Sequence, residues 1–174
     1  MTIDRPSITE YASFYAGYVG KVADAGGPLT LLEAQAAVFD LIARLPEAIG
    51  DHCYADGKWS VKEVVGHMAD TERVFAYRLL RIARADQTAL SGFDENAWAA
   101  AAPHARRPVA AVAAEMRAVR ASTLPLIHSL DATAMANTGT ANGKAVSARA
   151  ICWIMAGHAE HHLGILRERY GVTI

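Results

Sequence analysis

Seven histidines occur in the 174 residues, and their spacing separates them. His158 and His162 stand four apart in a segment of helical periodicity. At about 100° per residue they are offset by about 40°, so both imidazoles project from one face. This is the spacing by which a single helix gives two ligands to one metal ion. His161 competes for the second place but lies toward the other edge of the stripe, so His162 is preferred. His67 is the only other histidine centred in a long amphipathic segment, where Val64, Met68, Thr71 and Phe75 mark the inward side. Two histidines on one helix and a third on its neighbour cap three corners of a coordination sphere. The remainder stays open to water or substrate, as a catalytic site requires. The competing reading is a set of core histidines hydrogen-bonded to backbone or carboxylates.

A divalent ion held this way deprotonates a coordinated thiol, and a thiolate is the nucleophile for S-transfer. Water activated by the same ion serves hydrolysis instead. Asp70, three residues after His67 and on the same side of the helix, is the candidate catalytic residue. It can accept an imidazole N–H or contact a bound water, against the plainer reading of surface solvation. Glu72 falls on another face and suits a pair with Arg73, Arg78 or a neighbouring helix, and Glu160 points away from the ligands. A structural ion is normally closed off by four protein ligands, so Asp70 or Glu160 as a fourth ligand would mark a non-catalytic bundle.

Trp59, Trp98 and Trp153 suit either pocket walls or core packing. Cys53 and Cys152 are poor ligands, since Cys152 diverges from His158 by about 120° around a helix. His52, His104 and His128 fall in loops or near helix ends and take no role. The runs Arg78 to Arg84 and Arg106-Arg107 can attract an anion, but interleaved Asp86, Asp94 and Glu95 make a solvated helix face the expected reading.

These residues need long helices to position them. Tyr11, Phe14, Tyr15, Tyr18 and Val22 recur at helical spacing in an opening segment, Ile8 to Val22, ended by Gly26, Gly27 and Pro28. A second helix is expected from Leu29 to Leu45, with Pro46 near its end. Ser60-Val61-Lys62-Glu63 reads as a capping box, with Trp59 and Val64 at staple spacing, and predicts a helix to Ala85. A short helical turn is expected around Asp94 to Ala102. Pro108 then opens a helix whose apolar stripe runs from Val109 to Leu130, with Pro125 as a point of kinking. Thr138 to Ser147 is turn-like, and Asn142-Gly143 favours a tight hairpin in a small β-ribbon. The last helix runs from Ser147 to Arg169. Four long helices without a core strand predict an all-α four-helix bundle forming one domain over residues 1–174.

Composition agrees. Hydrophobic residues make up 52% and charged residues 20%, in the range of a globular domain with a proper core. The net charge of −1, with no basic run, excludes the electrostatic footprint of a nucleic-acid binder. The polar first ten residues lack a secretory pattern, no apolar stretch reaches membrane-spanning length, and two unpatterned cysteines suit a reducing setting. A cytoplasmic protein without membrane contact is expected. The aromatic opening segment and the alanine-rich helices offer apolar faces beyond a four-helix core, which predicts a homodimer.

The stretch Trp59-Ser60-Val61-Lys62-Glu63-Val64-Val65-Gly66-His67-Met68-Ala69-Asp70-Thr71-Glu72 resembles a signature of the DinB-like superfamily of small metal-binding proteins. So does Gly157-His158-Ala159-Glu160-His161-His162-Leu163-Gly164-Ile165-Leu166, and the segments Phe75 to Arg84 and Gly92 to Glu95 match one branch of it. The resemblance covers most of the chain. It implies a bundle of up-down-down-up connectivity and one divalent ion (zinc, nickel or manganese) on His67, His158 and His162. It also implies a small-molecule substrate and a low-molecular-weight thiol such as glutathione, mycothiol or bacillithiol, in S-transfer or thiol-dependent isomerisation.

Overall fold

The computed structural model describes residues 2–174. Two 3-10 turns, Ile8–Glu10 and Ser13–Tyr15, precede α1 (Ala16–Val19), α2 (Gly27–Ile42), α3 (Glu47–Gly50), α4 (Val61–Ala83) and α5 (Glu95–Ala101). A third 3-10 turn at His104–Arg106 leads into α6 (Val109–His128) and α7 (Ala132–Ala136), then β1 (Thr138–Ala141), β2 (Lys144–Ser147) and α8 (Ala148–Glu168).

The four long helices α2, α4, α6 and α8 form the bundle, and its core divides into two apolar clusters. One gathers Leu29 and Leu32 from the start of α2, Phe75 and Leu79 from the end of α4, Ile127 from the end of α6, and Ile151 to Ala156 from the start of α8. The other takes Phe39 and Ile42, Val61 to Ala69, Val109 to Met116, and Ala159 to Leu166, the opposite ends of the same helices. The ends that meet fix the directions: α4 and α6 run one way, α2 and α8 the other. This is up-down-down-up, and the parallel pair α4 and α6 needs the long connection that α5 and the third 3-10 turn supply.

Local chemistry sets the helix starts. Ser60 Oγ accepts from the Glu63 amide at 3.3 Å, and the Ser60 amide donates to Glu63 Oε2 at 2.7 Å. That reciprocal box starts α4 where the sequence places it. Ser147 caps α8 by accepting from the Ala150 amide at 3.1 Å. Between the strands, Asn142 and Gly143 have φ of 51° and 69°, as a two-residue hairpin turn demands. Ala141 pairs with Lys144, and the ribbon is the one sheet among the described residues.

The opening segment departs from the expected helix. Ser7 and Glu10 form their own capping box around a single 3-10 turn, and Tyr11 is extended at φ −155°, ψ 159°. Only Ala16–Val19 is α-helical. Local side-chain bonds and two low-propensity glycines, Gly17 and Gly20, break the periodicity, and the segment lies against α8 instead. The short α7, capped by Asp131 Oδ1 on the Ala134 amide at 2.8 Å, is an element the apolar periodicity did not show. Among the described residues, no helix is long and apolar enough to cross a membrane.

Candidate metal centre

His67 lies in the second turn of α4, while His158 and His162 lie in the middle of α8, between the two apolar clusters. All three are at least nine-tenths buried. His158 Nε2 is 3.2 Å from His67 Nε2 and 3.1 Å from His162 Nε2, and the three ligand atoms lie within 4.8 Å of one another. A tetrahedral ion with Zn–N bonds of 2.0–2.1 Å has ligand–ligand edges of about 3.3 Å. The two separations at His158 sit close to that edge, and the residues present fit one small divalent cation.

The rings are prepared as neutral ligands. Burial pushes the His67 imidazolium down to about 4, against weaker opposing pulls from Glu95 and Asp70. Burial, then the neighbouring imidazoles, holds His158 and His162 well below the ordinary histidine range. Neutral imidazole is the ligating form. Thr71 Oγ1 lies 3.4 Å from His67 Nδ1, and we assign the Nδ1–H as donor to that hydroxyl, which leaves the Nε2 lone pair facing the other rings. Trp59 tilts over the His67 ring at 4.9 Å, while Tyr18 and Phe75 meet His158 edge-on at 5.4 Å and 5.8 Å.

One side of the triad opens into a cavity of about 470 Å³ whose walls include Tyr15, Tyr18, Trp59 and Phe75. Arg78, Lys144 and Glu95 supply its charged groups. A cavity of this size, walled by aromatic rings and set with several polar side chains, suits a small molecule.

A second polar cluster braces the helices behind the triad. Arg120, with no exposed surface, donates from Nε and Nη2 to the two oxygens of Glu72 at 2.8 Å and 2.7 Å. Its Nη1 reaches the Leu32 carbonyl at 2.7 Å and Gln35 Oε1 at 3.2 Å. Gln35 Nε2 then donates to the Ala156 carbonyl and to Glu160 Oε2, both at 3.1 Å, on the stretch of α8 that carries the ligands. Glu72, next to Thr71, ties α4 into the same network. Arg120 was missed in sequence, yet it sits four residues after Met116 on the predicted apolar stripe, and a charge there was the available signal.

Several sequence expectations change. Asp70 accepts from His104 Nε2 at 3.0 Å and from Arg73 at 3.2 Å, not from His67, and it does not line the cavity. The carboxylate that does so is Glu95 at the start of α5, whose charge is felt by His67 and Tyr18. His104, given no role, is buried against α4. A Cβ on Gly66 would meet its ring at 2.2 Å. On Gly157 a Cβ would meet the Tyr18 carbonyl oxygen at 1.9 Å. Each glycine therefore makes room for an outer residue packed against its helix. Arg78, expected on a solvated face, is buried instead because it lies on the His67 stripe. Glu160 binds Gln35 and Arg167, His161 is half-buried against Tyr18, and neither completes the triad. Trp153 is core, whereas Trp98 stacks on Phe93 at the surface. Cys152 is sealed in the core, where burial pushes its thiol up to about 12, and Cys53 is exposed and free.

Fold and site define a four-helix bundle with three convergent buried imidazoles and an open cavity beside them. The chain belongs to the DinB superfamily, whose sequence profile matches residues 30–166. Among solved structures it is similar to YfiT from Bacillus subtilis, described as "a probable metal-dependent hydrolase with an unusual four-helix bundle topology". That likeness has a TM-score of 0.70 at 17% identity and covers 97% of this chain and 94% of YfiT. No curated protein matches the chain.

Proposed function

We propose that this protein is a metal-dependent enzyme in which His67, His158 and His162 hold one divalent ion (zinc, nickel or manganese). The observation that carries the reading is the meeting of three neutral Nε2 atoms, at 3.1 Å and 3.2 Å about His158, beside a cavity. Bound there, the ion supplies Lewis acidity that lowers the pKa of a thiol or water in its open position. The chain's residues do the rest. Thr71 fixes the His67 tautomer, and the Arg120 cluster holds α4 and α8 at the spacing the triad needs. Trp59, Tyr18 and Phe75 exclude bulk water from the reacting end of the cavity.

The reaction we assign is S-transfer from a low-molecular-weight thiol to an electrophile, supported by the DinB resemblance and by the open position beside the triad, where a bound ion would favour the thiolate. Hydrolysis is the second reading, favoured by one observation: Glu95 lines the same cavity and is placed to take a proton from water. A closed structural ion is disfavoured because Asp70 and Glu160 are engaged elsewhere.

Elemental analysis of the wild type beside His67→Ala, His158→Ala and His162→Ala tests the centre. One equivalent of metal in the wild type and none in the variants is expected, and full occupancy in all three variants sinks it. On metal-loaded protein, Glu95→Gln separates the reactions: hydrolysis of an activated ester falls about a hundredfold if Glu95 is the base, whereas thiol transfer keeps its rate.

A further inference from the structure

Among the described residues, three buried side chains outside the triad carry a formal positive charge, and their surroundings differ. Lys62 meets Asp51 at 2.6 Å and Glu47 at 2.8 Å. Arg120 is clasped by Glu72. Arg78, only 4% exposed, has no carboxylate partner among the described residues. It makes one hydrogen bond, from Nη2 to the Ser91 carbonyl at 2.7 Å, and lies 5.9 Å from the centre of the Phe93 ring. Its Nε and Nη1 take no protein acceptor, and neither is sealed from solvent-sized space. A guanidinium so little exposed and without a counter-charge stays costly to bury, and its two free donors, which solvent-sized groups can still reach, are available to an anion from outside.

The position of Arg78 says where that anion sits. Arg78 follows His67 on α4 by eleven residues. Eleven steps of about 100° return to within about 20° of the same direction, three turns and about 16 Å further along the axis. Long helical side chains lean toward the N-terminus, and the arginine, the longer of the two, recovers a part of that rise. His67 and Arg78 both line the one cavity, Arg78 bordering an outer one with Ser91 and Phe93 as well, and Tyr15 and Phe75, 6.3 Å apart edge to face, help to wall the first. Lys144 lines it too and has no ion-pair partner among the described residues. Glu95 also lines it, but its charge acts on His67 and Tyr18, at the triad's end.

We infer that Arg78, assisted by Lys144, binds the carboxylate of a substrate whose apolar middle lies along the aromatic walls and whose reacting group reaches the histidines. This deepens the proposed function and rests on that reading of the cavity as the place of reaction. A guanidinium fork matches a carboxylate in geometry as well as charge. The substrate class is therefore an elongated organic acid with an apolar or aromatic body.

Calorimetric titration with phenylbutyrate and its uncharged analogue phenylbutanol tests this on protein stripped of metal by a chelator. The acid is expected to bind the wild type about tenfold or more tightly than the alcohol. Arg78→Gln should remove that preference and leave alcohol binding unchanged. Lys144→Gln, at an exposed position, should reduce the preference about threefold. Equal binding of acid and alcohol by the wild type overturns the assignment, as does failure of the acid to bind at millimolar concentration. An unaltered preference in a folded Arg78→Gln protein overturns it as well. If Arg78→Gln does not fold, the acid–alcohol comparison and the Lys144→Gln variant still decide. Metal-free His67→Ala must keep the preference. Loss of metal with the preference intact supports both readings, whereas metal retained in that variant sinks the metal centre and leaves the carboxylate site standing.

Discussion

At one level of the bundle lie two buried polar clusters that handle burial in opposite ways. Around Arg120, four hydrogen bonds from the guanidinium end on Glu72, Leu32 and Gln35, and Gln35 passes the network on to α8. Charge meets charge and donors meet acceptors, so nothing remains to bind a ligand. A few ångströms of backbone away, three imidazoles turn the same acceptor atom toward a common point, with burial keeping them unprotonated. Their polarity is left unmatched by the chain. Depth therefore does not identify a functional group here. What distinguishes the two is whether hydrogen-bonding capacity is used up within the protein.

The strongest way to break this contrast is to open the closed cluster. Glu72→Ala leaves the Arg120 guanidinium buried without its carboxylate, and a loss of about 3–5 kcal/mol is expected in urea unfolding. Replacing both partners, Glu72→Leu with Arg120→Met, should recover most of that loss because no charge then remains buried. A loss below about 1 kcal/mol in the single variant would show that the cluster is solvated and not closed. The open cluster should behave in reverse. Added divalent metal at a hundredfold excess over its Kd should stabilise the wild type by about 2.7 kcal/mol and should leave His158→Ala unchanged. An equal gain in that variant places the metal elsewhere.

The sequence disclosed the two clusters unequally, for physical reasons. His158 and His162 were legible because two ligands on one helix leave a fixed interval, and His67 because it is centred on an amphipathic stripe. The Ser60–Glu63 box and the Asn142-Gly143 turn were legible because their chemistry is local. Arg120 and Arg78 break apolar stripes, yet a cation there reads as solvated until a partner 48 residues away, or a cavity, accounts for it. The glycines illustrate the limit. Gly66 and Gly157 each precede a ligand in sequence, but what fills the space they leave, His104 and Tyr18, comes from segments that only tertiary structure brings there. His104 was set aside because a loop histidine carries no periodicity to argue from.

Gly157 offers a smaller perturbation, applied to the open cluster from outside. An alanine methyl would lie 1.9 Å from the Tyr18 carbonyl oxygen, and a backbone atom cannot swing aside as a side chain can. Gly157→Ala should therefore displace the opening segment, lowering stability by about 1–3 kcal/mol. Because Tyr18 also meets His158 edge-on at 5.4 Å, metal affinity should fall with it. Stability and metal affinity both at wild-type values would show that the segment is not seated on α8.

The smallest effect belongs to a half-buried ion pair that does not touch the cavity, and it serves as the reference for the two buried clusters. Glu10 accepts from Arg149 Nε at 2.7 Å and from Ser147 Oγ at 2.7 Å, tying the opening segment to the start of α8. Those bonds, Arg149's foremost, hold its carboxyl down to about 2, below the 4.5 of a free glutamate. The unfolded chain therefore binds the proton first as pH falls. Stability from this pair is fully present above 4.5 and is lost as pH drops toward 2. Glu10→Gln should flatten that stretch of the stability–pH curve and change neutral-pH stability far less than Glu72→Ala does. Its effect should also shrink in high salt, because solvent reaches the pair, whereas the Glu72 effect should hold. Salt sensitivity of the same size in both variants would erase the distinction between a closed buried cluster and a surface tie.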